Sequence, residues 1–276
     1  MDGYVVAVYV VCDDLLKVIG VGDDPQAIMS NAEVMAFAII AAKLFSGHHK
    51  RARWACKQLR YFPKILSNSR LNRRIHQIPW SVWETVFQIL ALAFKQRADH
   101  CEYAVDSFPI SCCQKNRIDR RHLFKGRQYI GWSASKHKYF CGIRAHMIVT
   151  VGRDEPVELL FRPGSESDLS ALWEMELELP EGSLLYADGA YTCFDLEDIL
   201  KEDEMIYLLP KRGSSVRKWI RSREYEAQIS SRRQIVETAF SCITDLFPRN
   251  IRARTEMGFM LKLMSAILAY SFSFIG

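Results

Sequence analysis

Three acidic residues, Asp106, Asp188 and Glu237, stand where the neighbouring residues call for an apolar interior. Asp106 interrupts the run Tyr103-Ala-Val-Asp106-Ser-Phe108-Pro-Ile110, and Asp188 ends the run Leu184-Leu-Tyr-Ala-Asp188. An ionised carboxylate in such a setting costs several kcal/mol, roughly, unless a cation or hydrogen-bond donors compensate it. Magnesium takes oxygen ligands and keeps several waters, so a few carboxylates from separate elements suffice to hold it. Two divalent ions about 4 Å apart can serve the attacking and the leaving oxygen of an in-line displacement at phosphorus. In that chemistry Asp106 would bridge two Mg²⁺ or Mn²⁺ ions, Asp188 would bind one and Glu237 the other.

Glu237 needs a helix to deliver it. Ile229, Val236, Ala239, Phe240, Ile243 and Phe247 form one apolar stripe at helical spacing, and Ser230, Arg233, Glu237, Ser241 and Thr244 form a polar stripe beside it. Glu237 therefore flanks the buried face, one turn from Arg233. The plainer alternative is an exposed ion pair between Arg233 and Glu237.

The elements around these acids change character near residue 100. Before it the chain reads as helices: Asn31 as a cap for the run through Phe45, a basic helix over 51–61 stopped at Pro63, a helix capped at Ser67 or Ser69 and broken at Pro79, and Trp80 to Lys95 with Trp83, Phe87, Leu90 and Phe94 on one face. After it, strands are expected over 103–110, 139–151 and 157–162. A helix over 168–175, a strand over 184–187, a helix over 195–201, a strand over 206–209 and helices over 224–247 and 256–272 follow. That order matches a ribonuclease-H-like fold: an α/β mixed sheet with flanking helices, preceded by an all-α N-terminal domain. The expected domains are 1–100, helical and DNA-binding, and 101–276, catalytic.

Charge suggests the partner. The net charge of the 276 residues is only +5, but Lys and Arg cluster in blocks over 43–74, 115–144 and 211–233, separated by acid-rich stretches. Such a distribution suits a polyanion, with nucleic acid the natural candidate. Arg70, Arg73 and Arg74 would meet DNA from the helical domain. Lys136, Lys138 and Arg144 would do so from the strand region, where Phe124, Tyr129 and Trp132 could stack on unpaired bases. His146 is expected near Asp106, as an active-site group or as a core histidine.

Several classes are disfavoured. The eight cysteines hold no C-x-x-C pair, and Cys112-Cys113 are adjacent, which points to a reducing compartment and away from a zinc module. Arg212-Gly213-Ser-Ser lacks the phosphate-loop pattern, and Ser107 has no evident histidine partner. Asp2 replaces the basic start of a signal peptide, and the apolar run 263–275 is short for a bilayer. A cytoplasmic, nucleoid-associated prokaryotic protein with no membrane contact is expected.

Read together, the stretches Val105-Asp106-Ser-Phe-Pro109, Tyr139-Phe-Cys-Gly142-Ile-Arg-Ala-His146, Leu160-Phe-Arg-Pro163-Gly164-Ser-Glu-Ser-Asp168, Ala187-Asp188-Gly-Ala-Tyr191 and Ile235-Val236-Glu237-Thr238 resemble DDE transposases of the insertion sequence 982 family. The resemblance implies Asp106, Asp188 and Glu237 as the metal-binding triad, with Tyr191 and Arg233 in support. It also implies a ribonuclease-H-like core, double-stranded DNA (terminal inverted repeats and target) as partner, and a homodimer on that DNA. Ser230 and Thr244 depart from the wider group, which carries Tyr and Lys there. Two alternatives remain open: a catalytically silent, domesticated DNA-binding protein, and a ribonuclease-H-like nuclease without strand transfer.

Overall fold

The computed structural model describes residues 2–98, 100–113, 115–134, 137–212, 222–248 and 251–275. Two compact units emerge, one from residues 1–89 with 242–276 and one from residues 90–241.

The first unit is helical: α1 (Asp2–Val18), α2 (Asn31–Phe45), α3 (His49–Gln58), α4 (Asn68–Gln77), most of α5 (Trp80–Gln96) and, from the far end of the chain, α9 (Glu256–Ser271). α2 is buried from Val34 through Ala42, consistent with a helix that is apolar on every side and packed by α1 and α9. Its start is fixed by a capping box, in which Ser30 Oγ accepts from Glu33 N at 3.0 Å and Glu33 Oε2 accepts from Ser30 N at 2.8 Å. The cap is thus Ser30 rather than Asn31, whose N–H donates instead to Asp23 Oδ1 at 2.6 Å. Ser67 caps α4. The segment Glu256–Phe274 is long and apolar enough to cross a bilayer, yet most of it is buried in the protein. This division differs from one drawn at residue 100, because α9 packs on α2 and α4, far from it in sequence.

The second unit is built on a mixed sheet. β1 (Glu102–Ser111) pairs antiparallel with β3 (Lys138–Thr150) and parallel with β5 (Leu184–Ala187), which pairs parallel with β6 (Tyr207–Pro210). β4 (Pro156–Pro163) pairs antiparallel with most of β3, and the short β2 (Ile130–Ser133), which the sequence pattern does not announce, pairs with its first residues. α6 (Asp168–Glu174), α7 (Phe194–Asp203) and the long α8 (Arg223–Asp245) complete the elements. This is the expected mixed sheet with flanking helices. Lys95 Nζ, at the end of α5, donates to Glu158 Oε1 of β4 at 2.5 Å, and Arg97 reaches Glu155 at 2.6 Å.

Gly142 marks a tight approach in this sheet. A Cβ there would lie 2.0 Å from the backbone oxygen of Ile110 in β1, so no side chain fits without parting the strands. Gly142→Ala is expected to lower unfolding stability by about 1–3 kcal/mol. An unchanged urea midpoint would show that β1 and β3 do not meet as described.

Candidate active site

Asp106 lies midway along β1, the central strand, and Asp188 follows the last residue of β5. The parallel register pairs Ala104 with Tyr186, two residues before each acid, and the charge of Asp188 reaches the Asp106 carboxyl. Asp188 Oδ1 also accepts from Ala190 N at 2.6 Å, fixing the tight turn Gly189–Tyr191 that ends the strand.

α8 brings the third acid. Its apolar stripe is buried at Ile229, Val236, Ala239, Phe240 and Ile243, and the Phe240 ring packs 4.5 Å from that of Phe108, two residues beyond Asp106. This places Arg233 over β1. One nitrogen of its guanidinium donates to Asp106 Oδ2 at 2.8 Å and the other to Glu237 Oε1 at 2.6 Å. The Arg233–Glu237 pair, which the plainer alternative places on an exposed face, is also a bridge to the central strand. Glu237 remains 54% exposed on its side chain, whereas Asp106 is 17% exposed.

The electrostatics are those of an acid cluster with too little positive charge. Burial pushes the Asp106 carboxyl up to about 7, and the charges of Asp188 and Asp168 push the same way. The Ser107 N–H, 2.7 Å from Oδ1, and Arg233 oppose the shift without cancelling it. Tyr191 is fully buried and its hydroxyl has no hydrogen-bond partner among the described residues. Burial, then Asp168, Asp106 and Asp188, hold its ionisation well above the usual tyrosine range, so it stays a neutral phenol.

Asp168, at the start of α6, acts on this cluster through its charge while bonding on the Ser107 side of β1, although the sequence shows it only as the end of a motif. It accepts from Ser107 Oγ at 2.5 Å, and Arg144 Nη1 lies 3.7 Å from it. The available signal is the Ser167 cap, whose oxygen accepts from Ser170 N and starts the helix at Asp168.

The sequence model of the family described as "Transposase DDE domain" matches residues 97–272. The chain belongs to the transposase DDE-domain family. In fold it is similar to a solved structure titled "Cryo-EM structure of piggyBac transposase synaptic complex with hairpin DNA", with a TM-score of 0.53 over 98% of this chain and 72% of that one, at 9% identity. Among curated proteins no match was found.

The remaining candidates divide clearly. His146 stands opposite Ser107 and Met147 opposite Asp106, so His146 faces away from Asp106 and lies 3.8 Å from Asp168 instead. Burial, then Arg144 and Arg162, lower its pKa to about 3, leaving a neutral imidazole. Arg144 uses its donors internally, on Trp132 O at 2.7 Å, Ser107 Oγ at 3.2 Å and Gly164 O at 3.3 Å. Arg74 likewise donates to Met29 O and Asn31 Oδ1. Arg70, Arg73 and Lys138 are exposed, and Lys136 lies outside the described residues. Trp132 and Tyr139, across the β2–β3 pair, form an exposed edge-to-face pair 4.9 Å apart.

Proposed function

We propose that this member of the family is an active DNA transposase of the insertion sequence 982 group. It cuts DNA at element ends and joins the freed 3′ hydroxyl to target DNA. The electrostatic coupling of Asp106 to Asp188, with Glu237 tied to Asp106 through Arg233, supports this reading. Both steps are in-line displacements at phosphorus, so one site can perform them in turn.

Asp106, Asp188 and Glu237 would hold two Mg²⁺ or Mn²⁺ ions. The fit rests on two observations: the donors are all carboxylate oxygens, as hard cations prefer, and Asp106 is held as a high-pKa acid among other acids. Bound cations would stabilise charge on the attacking and leaving oxygens. The chain's own residues supply the rest. Arg233 holds two of the acids in place, the Asp188 turn fixes the third, and the buried Tyr191 phenol fills the space beside them with a neutral group. A homodimer on two inverted-repeat ends, working in the cytoplasm with the nucleoid, belongs to the same proposal.

The helical unit would grip DNA. Arg73, His76, Arg252, Arg254 and Lys262 line a cleft of about 670 Å³, open to solvent and with no acidic group among the described residues that line it. Removing one cation that neutralises a phosphate reduces the salt slope of binding by about 0.9. Arg73→Ala with Arg254→Ala is therefore expected to flatten it by about 2. An unchanged slope would remove this cleft from the DNA path.

The experiment for the whole proposal is incubation of the protein with an end-bearing duplex, Mg²⁺ or Mn²⁺ and a target plasmid. Cleaved ends and joined products are expected. Cleavage without joining would indicate a nuclease, and binding without cleavage a silent DNA-binding protein.

A further inference from the structure

Three cysteines that take no part in the carboxylate cluster converge at the far end of β1. Cys112 and Cys113 follow its last residue, Ser111, and Cys141 lies in β3. The antiparallel register sets Ser111 opposite Gly142, and the Cys112 N–H donates to Cys141 O at 2.9 Å, so the pairing brings Cys141 to the adjacent cysteines. The Sγ atoms of Cys112 and Cys141 are 3.8 Å apart, and all three sulfurs lie within 4.8 Å of one another.

That spacing is informative. Zinc bound to thiolates at about 2.3 Å in tetrahedral geometry sets its sulfurs roughly 3.8 Å apart. A disulfide requires about 2.05 Å. Cys141 is buried while Cys112 and Cys113 are partly exposed, so a cation among them would have protein on one side and solvent on the other.

We propose that Cys112, Cys113 and Cys141 form a thiolate site for zinc, with water in the fourth position. Three thiol protons leave to solvent as three Zn–S bonds form, giving the zinc and its thiolates a net charge of −1. Arg121 is placed to offset that charge, since its electrostatic effect reaches Cys141. Its guanidinium is held by the carbonyls of Ile118, Phe124 and Gly126 at 2.8, 3.1 and 3.0 Å. Without a cation, burial pushes the Cys112 and Cys141 thiols up, so they remain protonated and neutral. The role of the site is structural: it pins the chain leaving β1 to β3, at the end of the strand that carries Asp106.

Titration of the reduced, metal-free protein with Co²⁺ in excess Mg²⁺ tests this directly. Carboxylate-bound cobalt gives no thiolate-to-cobalt charge-transfer band, so the readout is independent of the acid cluster and of any DNA reaction. The expected result is such a band, saturating at one ion per chain and bleached by Zn²⁺. Cys112→Ser, Cys113→Ser and Cys141→Ser should each weaken binding at least about tenfold, since losing even an outer partner of a ligand costs that much. Cys242→Ser, on α8, should bind as the native chain does. No charge-transfer band from the native protein would overturn the proposal, as would a band undiminished in Cys141→Ser. So would a Cys112–Cys141 disulfide in the freshly purified, unreduced chain.

Discussion

Asp106→Asn is expected to reduce metal-dependent DNA cleavage by roughly a thousandfold or more, because each 1.4 kcal/mol of lost charge stabilisation is a factor of ten and divalent ions supply several. DNA binding should be unchanged, since Asp106 lies on the central strand of the sheet and the proposed phosphate contacts lie elsewhere. Asn preserves the shape and can still accept from the Ser107 N–H, so the fold should survive. Asp188→Asn should match it, because the charge of Asp188 acts on the same carboxyl. Gel-resolved cleavage of an end-bearing duplex, beside a binding isotherm on the same DNA, is the check. Cleavage within tenfold of the native rate would remove Asp106 from the metal site.

The same substitution should stabilise the metal-free protein above neutral pH. Folding raises the Asp106 carboxyl from its ordinary 3.8 to about 7. Below about pH 4 the group is protonated in both folded and unfolded chains and contributes nothing to the difference. As pH rises toward 7 the unfolded chain ionises first, and the folded form loses relative stability until its own carboxyl ionises. At pH 8 nearly the full cost is present, on the order of 4 kcal/mol for a shift of this size. The attraction of Arg233 is already contained in that shift. Asp106→Asn should therefore unfold at higher denaturant than the native chain at pH 8, with the gap closing below pH 4. Millimolar Mg²⁺ should stabilise the native chain at pH 8 and leave the variant unmoved. A native chain more stable than the variant at pH 8 without metal would mean that Arg233 outweighs burial.

Much of this candidate site is legible in the residues because each acid violates a local pattern. Asp106 breaks an apolar strand, Asp188 closes one, and Glu237 sits beside an apolar helical stripe. The structure places all three in elements of the expected type. What escapes the sequence depends on distant partners. β2 is four residues without clear alternation and exists because β3 pairs with it. Asp168 acquires its neighbours from β1 and β3, far away in the chain. The face taken by His146 follows from the β1–β3 register, which period-two alternation alone does not set. Arg74 and Arg144 read as cations for DNA, yet carbonyls about 45 and 12–20 residues away take their donors. The Ser30–Glu33 capping box, by contrast, is present in the local sequence, and an Asn31 cap overlooks it. The cysteine cluster has no sequence spacing to announce it, because strand pairing supplies the third sulfur.

Anomalous diffraction from crystals grown in saturating Mn²⁺ tests the central claim most directly. Two manganese peaks about 4 Å apart are expected among Asp106, Asp188 and Glu237, with Arg233 released from at least one of its two carboxylates. Manganese bound elsewhere, or Arg233 still bonded to both Asp106 and Glu237 with no metal between the acids, would contradict it.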